Sequence, residues 1–199
     1  MKIIYTKDKE FKTEFENILK RAKSDIKGVS KIVENIIDEI VEDGNEALKR
    51  HIEKFDKWIV KNDDELLISQ DSMKKAYETL DESLKKSLHI AYERIKAYHE
   101  KQLPKSWIDF EENGTILGQK VTAVDRAGLY IPGGKAAYPS SLLMNAIPAK
   151  VAGVKEIVVC TPTPNNEVNE LLLAACHLCG VSKVYKVGGA SAIAAMAYG

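Results

Sequence analysis

Between Leu129 and Val187 the sequence alternates short β-branched segments with longer apolar segments, and this alternation restricts the possible folds more than any other feature. The short segments end in Gly or Pro, which is typical of buried strands that stop at a turn. The longer segments have the length of helices, and Ser140 is well placed to cap the first of them. The predicted order is strand 129–131, helix from 140, strand 156–160, helix 168–179 and strand 183–187. This βαβαβ series predicts an α/β fold with a parallel sheet and right-handed crossovers.

Each predicted strand is followed by a loop that is rich in Gly or Pro. The three loops are Pro132-Gly133-Gly134, Thr161-Pro162-Thr163-Pro164 and Gly188-Gly189-Ala190-Ser191. Ligands of open parallel sheets bind beyond the carboxyl ends of the strands, so the three loops are expected to gather at one binding edge. The spacing G-x-G-x-x-G is missing from both glycine loops, and the pattern is therefore Rossmann-like without the usual dinucleotide fingerprint.

Three segments of this region carry a family resemblance: G-L-Y-I-P-G-G at 128–134, Y-P-S-S-L-L-M-N-A-I-P at 138–148 and K-V-G-G-A-S-A-I-A-A-M-A-Y-G at 186–199. They closely resemble the middle of histidinol dehydrogenase. The resemblance implies incomplete Rossmann-like domains with atypical NAD binding, in an enzyme that looks like an obligate homodimer. It also implies zinc-dependent oxidation of a small molecule, L-histidinol, to L-histidine by two NAD-linked hydride transfers through an aldehyde.

The resemblance places cofactor contacts on three residues. Tyr130 would stack on NAD and hydrogen-bond to it, and Pro132 would line the same surface. Ser191 stands where the family pattern has glutamine. The serine side chain is shorter, and it lacks the separate donor and acceptor atoms of the glutamine amide. Purely structural roles stay open, with Tyr130 as a half-buried strand aromatic and Ser191 as a helix cap.

No catalytic or metal-ligating residue is assigned in this chain. In the family, the zinc ligands and a glutamate–histidine pair for acid–base catalysis lie downstream of the glycine turn that ends here at Ala190. The four histidines, at 51, 89, 99 and 177, are expected to be scattered, so that the 199 residues alone are inactive. Two alternatives remain: a non-catalytic nucleotide-binding or assembly module, and a related NAD-dependent alcohol dehydrogenase for another small substrate.

Residues 1–104 are predicted to be helical, and residues 105–199 to form the Rossmann-like, truncated region. An apolar stripe behind Ser30 predicts one helix that Gly44 stops, and a short helix follows it. Further helices are predicted near 71–79 and from Leu84 to Tyr98, before Pro104. After Pro104, residues 115–117 and 119–124 suggest a small hairpin, with glycines as punctuation. An interrupted sheet of this kind is expected to expose apolar surface and to self-associate.

Composition narrows the function classes. Lys plus Arg and Asp plus Glu both number 29, so no basic field is available to hold nucleic acid or an anionic membrane. No apolar run is long enough to span a bilayer, and no signal peptide is visible, which predicts a cytoplasmic protein. Cys176 and Cys179 flank His177 but have no second ligand cluster, so they are predicted to pack the last helical turn.

Overall fold

The computed structural model of the chain describes residues 3–133 and 138–199, with the backbone alone for 21–27. Gly134, the last residue of the first predicted loop, lies outside the described residues. The elements are α1 (Phe11–Asp43), α2 (Asn45–Asp56), β1 (Leu67–Ile68), α3 (Gln70–Thr79), α4 (Glu82–Glu100), β2 (Trp107–Phe110), β3 (Ile116–Gln119), β4 (Arg126–Tyr130), α5 (Pro139–Val151), β5 (Glu156–Cys160), α6 (Glu170–Cys179), β6 (Lys183–Tyr185) and α7 (Gly189–Tyr198).

The predicted βαβαβ series is confirmed and the fold is α/β. Strands β4, β5 and β6 are parallel neighbours, and helices α5 and α6 connect them in sequence. The short strand β1 pairs with β6 antiparallel, so the helical part of the chain supplies one edge of a four-stranded sheet with the order β1-β6-β5-β4. The division of the chain at Pro104 stays a prediction.

Helices cover both faces of the sheet and enclose two hydrophobic cores. One core lies between the sheet and helices α3 to α6, with Val159 and Val184 fully buried at its centre. The other lies between the sheet and helices α1, α2 and α7, and includes Ile52, Cys160 and Ala192. Helix α7 therefore lies on the opposite face from α5 and α6, a change of side that in open α/β sheets accompanies ligand sites at the strand ends.

Helices α1 and α5 do not begin as predicted. Helix α1 begins at Phe11 rather than behind Ser30, because no proline interrupts residues 11–43 and Gly28 lies in open space within the helix. Its end at Gly44 is confirmed, where the positive φ of this glycine accommodates the change of direction into α2. Helix α5 starts at Pro139 with Tyr138 before it, so Ser140 lies in the first turn and is not the cap.

The predicted hairpin has the wrong strands. Strand β2 pairs with β3, and Trp107 faces Gln119 in the register, so the turn falls near Gly114. Gly118 lies inside β3 rather than at a break between strands. A Cβ at this position would approach the carbonyl oxygen of Trp107 to 2.7 Å. A close backbone contact, and not a turn, is therefore the reason for this glycine.

Candidate functional site at the carboxyl edge of the sheet

The loops that follow β4, β5 and β6 touch one another, as the sequence predicts. A Cβ on Gly133 would lie 2.9 Å from both the Pro162 carbonyl oxygen and the Thr161 hydroxyl. A Cβ on Gly188 would lie 2.5 Å from the Cβ of Pro162. Both glycines therefore allow backbone segments to approach more closely than any side chain permits, and Pro162 stands between them.

Tyr130 ends β4 and is half-buried. Its hydroxyl accepts a hydrogen bond from the backbone N–H of Gly189 at 3.2 Å, and this bond connects the end of β4 to the start of α7. Because the oxygen accepts in this bond, the phenol proton stays available to a further acceptor. Pro132 lies two residues further along, exposed to solvent, after the fully buried Ile131.

Ser191 lies inside the first turn of α7 and is only 3% exposed. The cap position of this helix belongs to Gly188, with no side-chain cap bond, so the interpretation of Ser191 as a helix cap is wrong. Its hydroxyl oxygen instead lies 2.8 Å from Nδ1 of His51, across 140 residues of sequence. The structure thus brings Tyr130 into contact with the short segment Gly188–Ser191, to which Ser191 belongs.

His51 is the site residue that sequence reasoning missed. It is 6% exposed, and its Nε2 lies 2.8 Å from a carboxylate oxygen of Glu39, whose side chain is half exposed. A carboxylate has no proton to give, so Nε2–H donates to Glu39; in the neutral ring this leaves Nδ1 as the acceptor of the Ser191 hydroxyl proton. The available signal was the helical stripe of α2, because His51 lies between the buried residues Leu48 and Ile52.

Asp56 is the second missed residue. It is 6% exposed at the end of α2, and one carboxylate oxygen accepts the backbone N–H of Thr163 at 2.9 Å. Burial raises the pKa of Asp56, and the hydrogen bond from Thr163 opposes this shift. The hydroxyls of Thr161 and Thr163 are also buried and find no hydrogen-bond partner among the described residues.

Of the residues described above, His51, Asp56 and Ser191 line a cavity of ≈ 260 Å³. Helices α1 and α2 form one side and the loops after β5 and β6 form the other, with a largely apolar wall around a few polar groups. The volume suits one ring or sugar rather than a whole dinucleotide. The cavity is lined by Ile32, Ile36, His51, Ile52, Phe55, Asp56, Pro162, Val187 and Gly188 to Ser191.

The other histidines lie elsewhere. His89 accepts or donates a hydrogen bond with the Tyr77 hydroxyl at 2.7 Å, and the ring of His177 packs against the same tyrosine. His89 and His177 therefore share Tyr77 as a neighbour, because α3, α4 and α6 converge there. The ring of His99 packs against its neighbour Tyr98.

The cysteines pack the core, as predicted. Cys160, Cys176 and Cys179 are buried and free. Burial raises the pKa of Cys160 to about 11 and of Cys179 to about 12, and it also raises the pKa of Cys176. A buried thiol that resists ionisation is a poor nucleophile at neutral pH.

Among the side chains of residues 3–20, 28–133 and 138–199, no group of three or more His, Cys, Asp or Glu is arranged to hold a metal ion. The described residues therefore do not fit the zinc that the family resemblance implies. Nor does any described helix have the length and apolar character needed to cross a membrane.

Comparison with known proteins agrees with the resemblance. The family model described as "Histidinol dehydrogenase" matches residues 19–199. Histidinol dehydrogenase from Sulfurimonas denitrificans is 70% identical over 194 residues, which make up 98% of this chain and 45% of the relative. The protein of the same name from Wolinella succinogenes is 67% identical over 190 residues, covering 96% of this chain and 44% of the relative.

A solved structure shows the same fold. The crystal structure of histidinol dehydrogenase from Elizabethkingia anophelis superimposes with a TM-score of 0.78 at 30% identity, over 86% of this chain and 39% of that one. The chain spans about 45% of the length of the curated relatives it matches. From the family match over nearly the whole chain, together with the shared fold, we conclude that the chain belongs to the histidinol dehydrogenase family.

Proposed function

We propose that the edge formed by the three loops binds NAD and serves the family reaction, the zinc-dependent oxidation of the small molecule L-histidinol to L-histidine. The observation that carries the proposal is the hydrogen bond between Tyr130 and Gly189, which brings Tyr130 to the segment Gly188–Ser191 that also contains Ser191. NAD, when bound, supplies the acceptor for the hydride that leaves the substrate. The contribution of this chain is to hold and orient that cofactor.

Three features of the edge fit a dinucleotide. The N-cap residue of α7, Gly188, makes no side-chain cap bond, and apart from the Gly189 N–H, which donates to Tyr130, the N–H groups of the first turn can meet an anionic phosphate. Gly133 and Gly188 let the loops after β4 and β6 pack closely against Pro162, which brings the three loops together at one edge. The unpartnered hydroxyls of Thr161 and Thr163 flank Pro162 at the same place and can bond to a polar ligand.

Tyr130→Ala tests this proposal. Loss of the ring and its hydroxyl should weaken NAD binding by about 1–2 kcal/mol in calorimetric titration. Tyr130→Phe should lose only the part due to the hydroxyl. Tyr198→Ala is the control, since Tyr198 is a 64% exposed tyrosine at the far end of α7. Equal NAD affinity in all four proteins would contradict the assignment of Tyr130 to the cofactor site.

We further propose that the 199 residues bind NAD without turning over histidinol. The described residues offer no zinc site, and His51, the histidine at the site, is held between Glu39 and Ser191. A steady-state assay of NAD reduction with histidinol and added zinc measures this. Turnover clearly above that of a blank without protein would refute the statement.

A role in assembly, as a homodimer, is the second candidate function. Strands β2 and β3 are exposed along their whole length, and Ile108 and Phe110 are 63% and 67% exposed. Apolar side chains concentrated on one hairpin are typical of an association surface. Sedimentation at several concentrations should show self-association that the Ile108→Lys and Phe110→Lys variants reduce and that Val124→Lys, outside the hairpin, does not. A wild-type monomer at every concentration would contradict this role.

A further inference from the structure

We propose that the cavity between α1, α2 and the start of α7 is a ribose subsite, in which Asp56 and Ser191 accept hydrogen bonds from sugar hydroxyls and His51 positions Ser191. The inference rests on the proposed NAD site and names the part of the ligand that enters the cavity. It assigns His51 and Glu39 as positioning residues. Neither needs to touch the reacting atoms.

The first step concerns Asp56. A carboxylate offers about four acceptor positions, and the Thr163 N–H occupies one of them. Asp56 is also buried at the carboxyl end of α2, where the helix dipole disfavours a negative charge. Burial and the helix dipole both make a carboxylate at this position unfavourable for stability, which indicates a role in binding. Burial also raises the pKa of Asp56. Its spare acceptor positions at the cavity match the hydroxyl donors of a sugar.

The second step concerns the direction of the hydrogen bonds at Ser191. Glu39 accepts from His51 Nε2–H, so the neutral ring has only an acceptor at Nδ1. The Ser191 proton is directed at this nitrogen, and its oxygen lone pairs are left for the cavity that the residue lines. Ser191 then presents an acceptor rather than a donor. Two acceptors in one small cavity select a ligand that carries hydroxyl donors.

The test of the ligand class uses NAD and two NAD analogues, one without the 2′-hydroxyl of the adenosine ribose and one without that of the nicotinamide ribose. One analogue should bind the wild-type chain about tenfold more weakly than NAD at pH 8. Asp56→Asn keeps an oxygen that can accept from the Thr163 N–H, but it replaces the other carboxylate oxygen with an NH₂ donor. This variant should bind NAD about tenfold more weakly than the wild type. Equal binding of NAD and both analogues to the wild type would overturn the inference.

The test of positioning uses two substitutions of His51. The amide oxygen of His51→Asn can accept from Ser191 in place of Nδ1, whereas His51→Phe removes every polar atom of the ring. His51→Phe should bind NAD about tenfold more weakly than the wild type, and His51→Asn should retain the wild-type affinity. Equal affinities of the two variants for NAD would overturn the positioning role of His51. His89→Gln, an exposed histidine on α4, is the control and should behave as the wild type.

The outcomes separate this inference from the proposed function. If Tyr130→Ala weakens NAD binding but the Asp56 and His51 variants do not, NAD binds at the edge and the cavity is not its ribose subsite. If the wild-type chain does not bind NAD at all, the proposed function and the inference both fail. Circular dichroism of each variant identifies any loss of affinity that results from unfolding.

Discussion

Gly188→Ala should damage both the stability and the cofactor edge of this chain. The added methyl group would lie 2.5 Å from the Cβ and 3.0 Å from the Cα of Pro162, whereas ordinary contacts are 3.4–4 Å. The obstacle is a proline and its backbone, not the flexible end of a side chain. One of the two loops must therefore move by about 1 Å, well beyond the usual tolerance of a packed interior.

The magnitude follows from overpacking, which costs about 1–3 kcal/mol in unfolding free energy. For a chain of 199 residues this lowers the melting temperature by about 2–4 °C per kcal/mol. The displacement also moves the start of α7 away from Tyr130, so the affinity for NAD should fall together with the stability. Urea unfolding and calorimetric titration of the same samples measure the two effects.

Two glycines of the same region provide matched controls. A methyl group on Gly128 meets only the flexible side chain of Met196, which can move aside, so Gly128→Ala should be mild. Gly189 has open space around it but a φ of +63°, so Gly189→Ala should cost about 1–2 kcal/mol through backbone strain alone. The steric argument is refuted if Gly188→Ala unfolds with the same free energy as Gly128→Ala and binds NAD equally well.

Two further predictions concern charge and thiol reactivity. The ion pairs with Arg126 and Lys183 lower the pKa of Glu156. These ion pairs therefore stabilise the fold fully at pH values above the ordinary pKa of a glutamate. The stabilisation is lost as the pH falls through the lowered pKa of Glu156. Glu156→Gln should accordingly destabilise the chain in urea unfolding at pH 7 and low salt, and a loss that persists in 1 M salt or at pH 3 would contradict the ion-pair explanation. Cys179, buried with a pKa raised to about 12, should react with a thiol reagent only on the timescale of unfolding, and rapid reaction in the native state would show that it is accessible.

The sheet could be predicted because its information is local. Strand β5 has the predicted bounds, and the loops rich in Gly and Pro mark where the strands stop. Connection lengths then leave few arrangements other than parallel neighbours. The same local reasoning was wrong at Gly118, because close approach between strands and a turn both favour glycine, and only the partner strand distinguishes them.

The candidate site was only half predictable. The sequence and its resemblance pointed to Tyr130, Pro132 and Ser191, whose assignment to the cofactor remains a proposal. The helical stripe of α2 predicts that His51 is buried, but no local pattern identifies His51 or Asp56 as a site residue, because their partners Ser191 and Thr163 lie on segments more than 100 residues away.

By itself the sequence determined the class of fold, the βαβαβ series from β4 to β6, and the family, since each depends on residues that are near one another in the chain. The tertiary structure alone decided which faces the helices cover and that α2 meets α7 at the cavity. The bond between His51 and Ser191 spans 140 residues. Such a contact depends on how the helices pack against the sheet, and no local pattern records it.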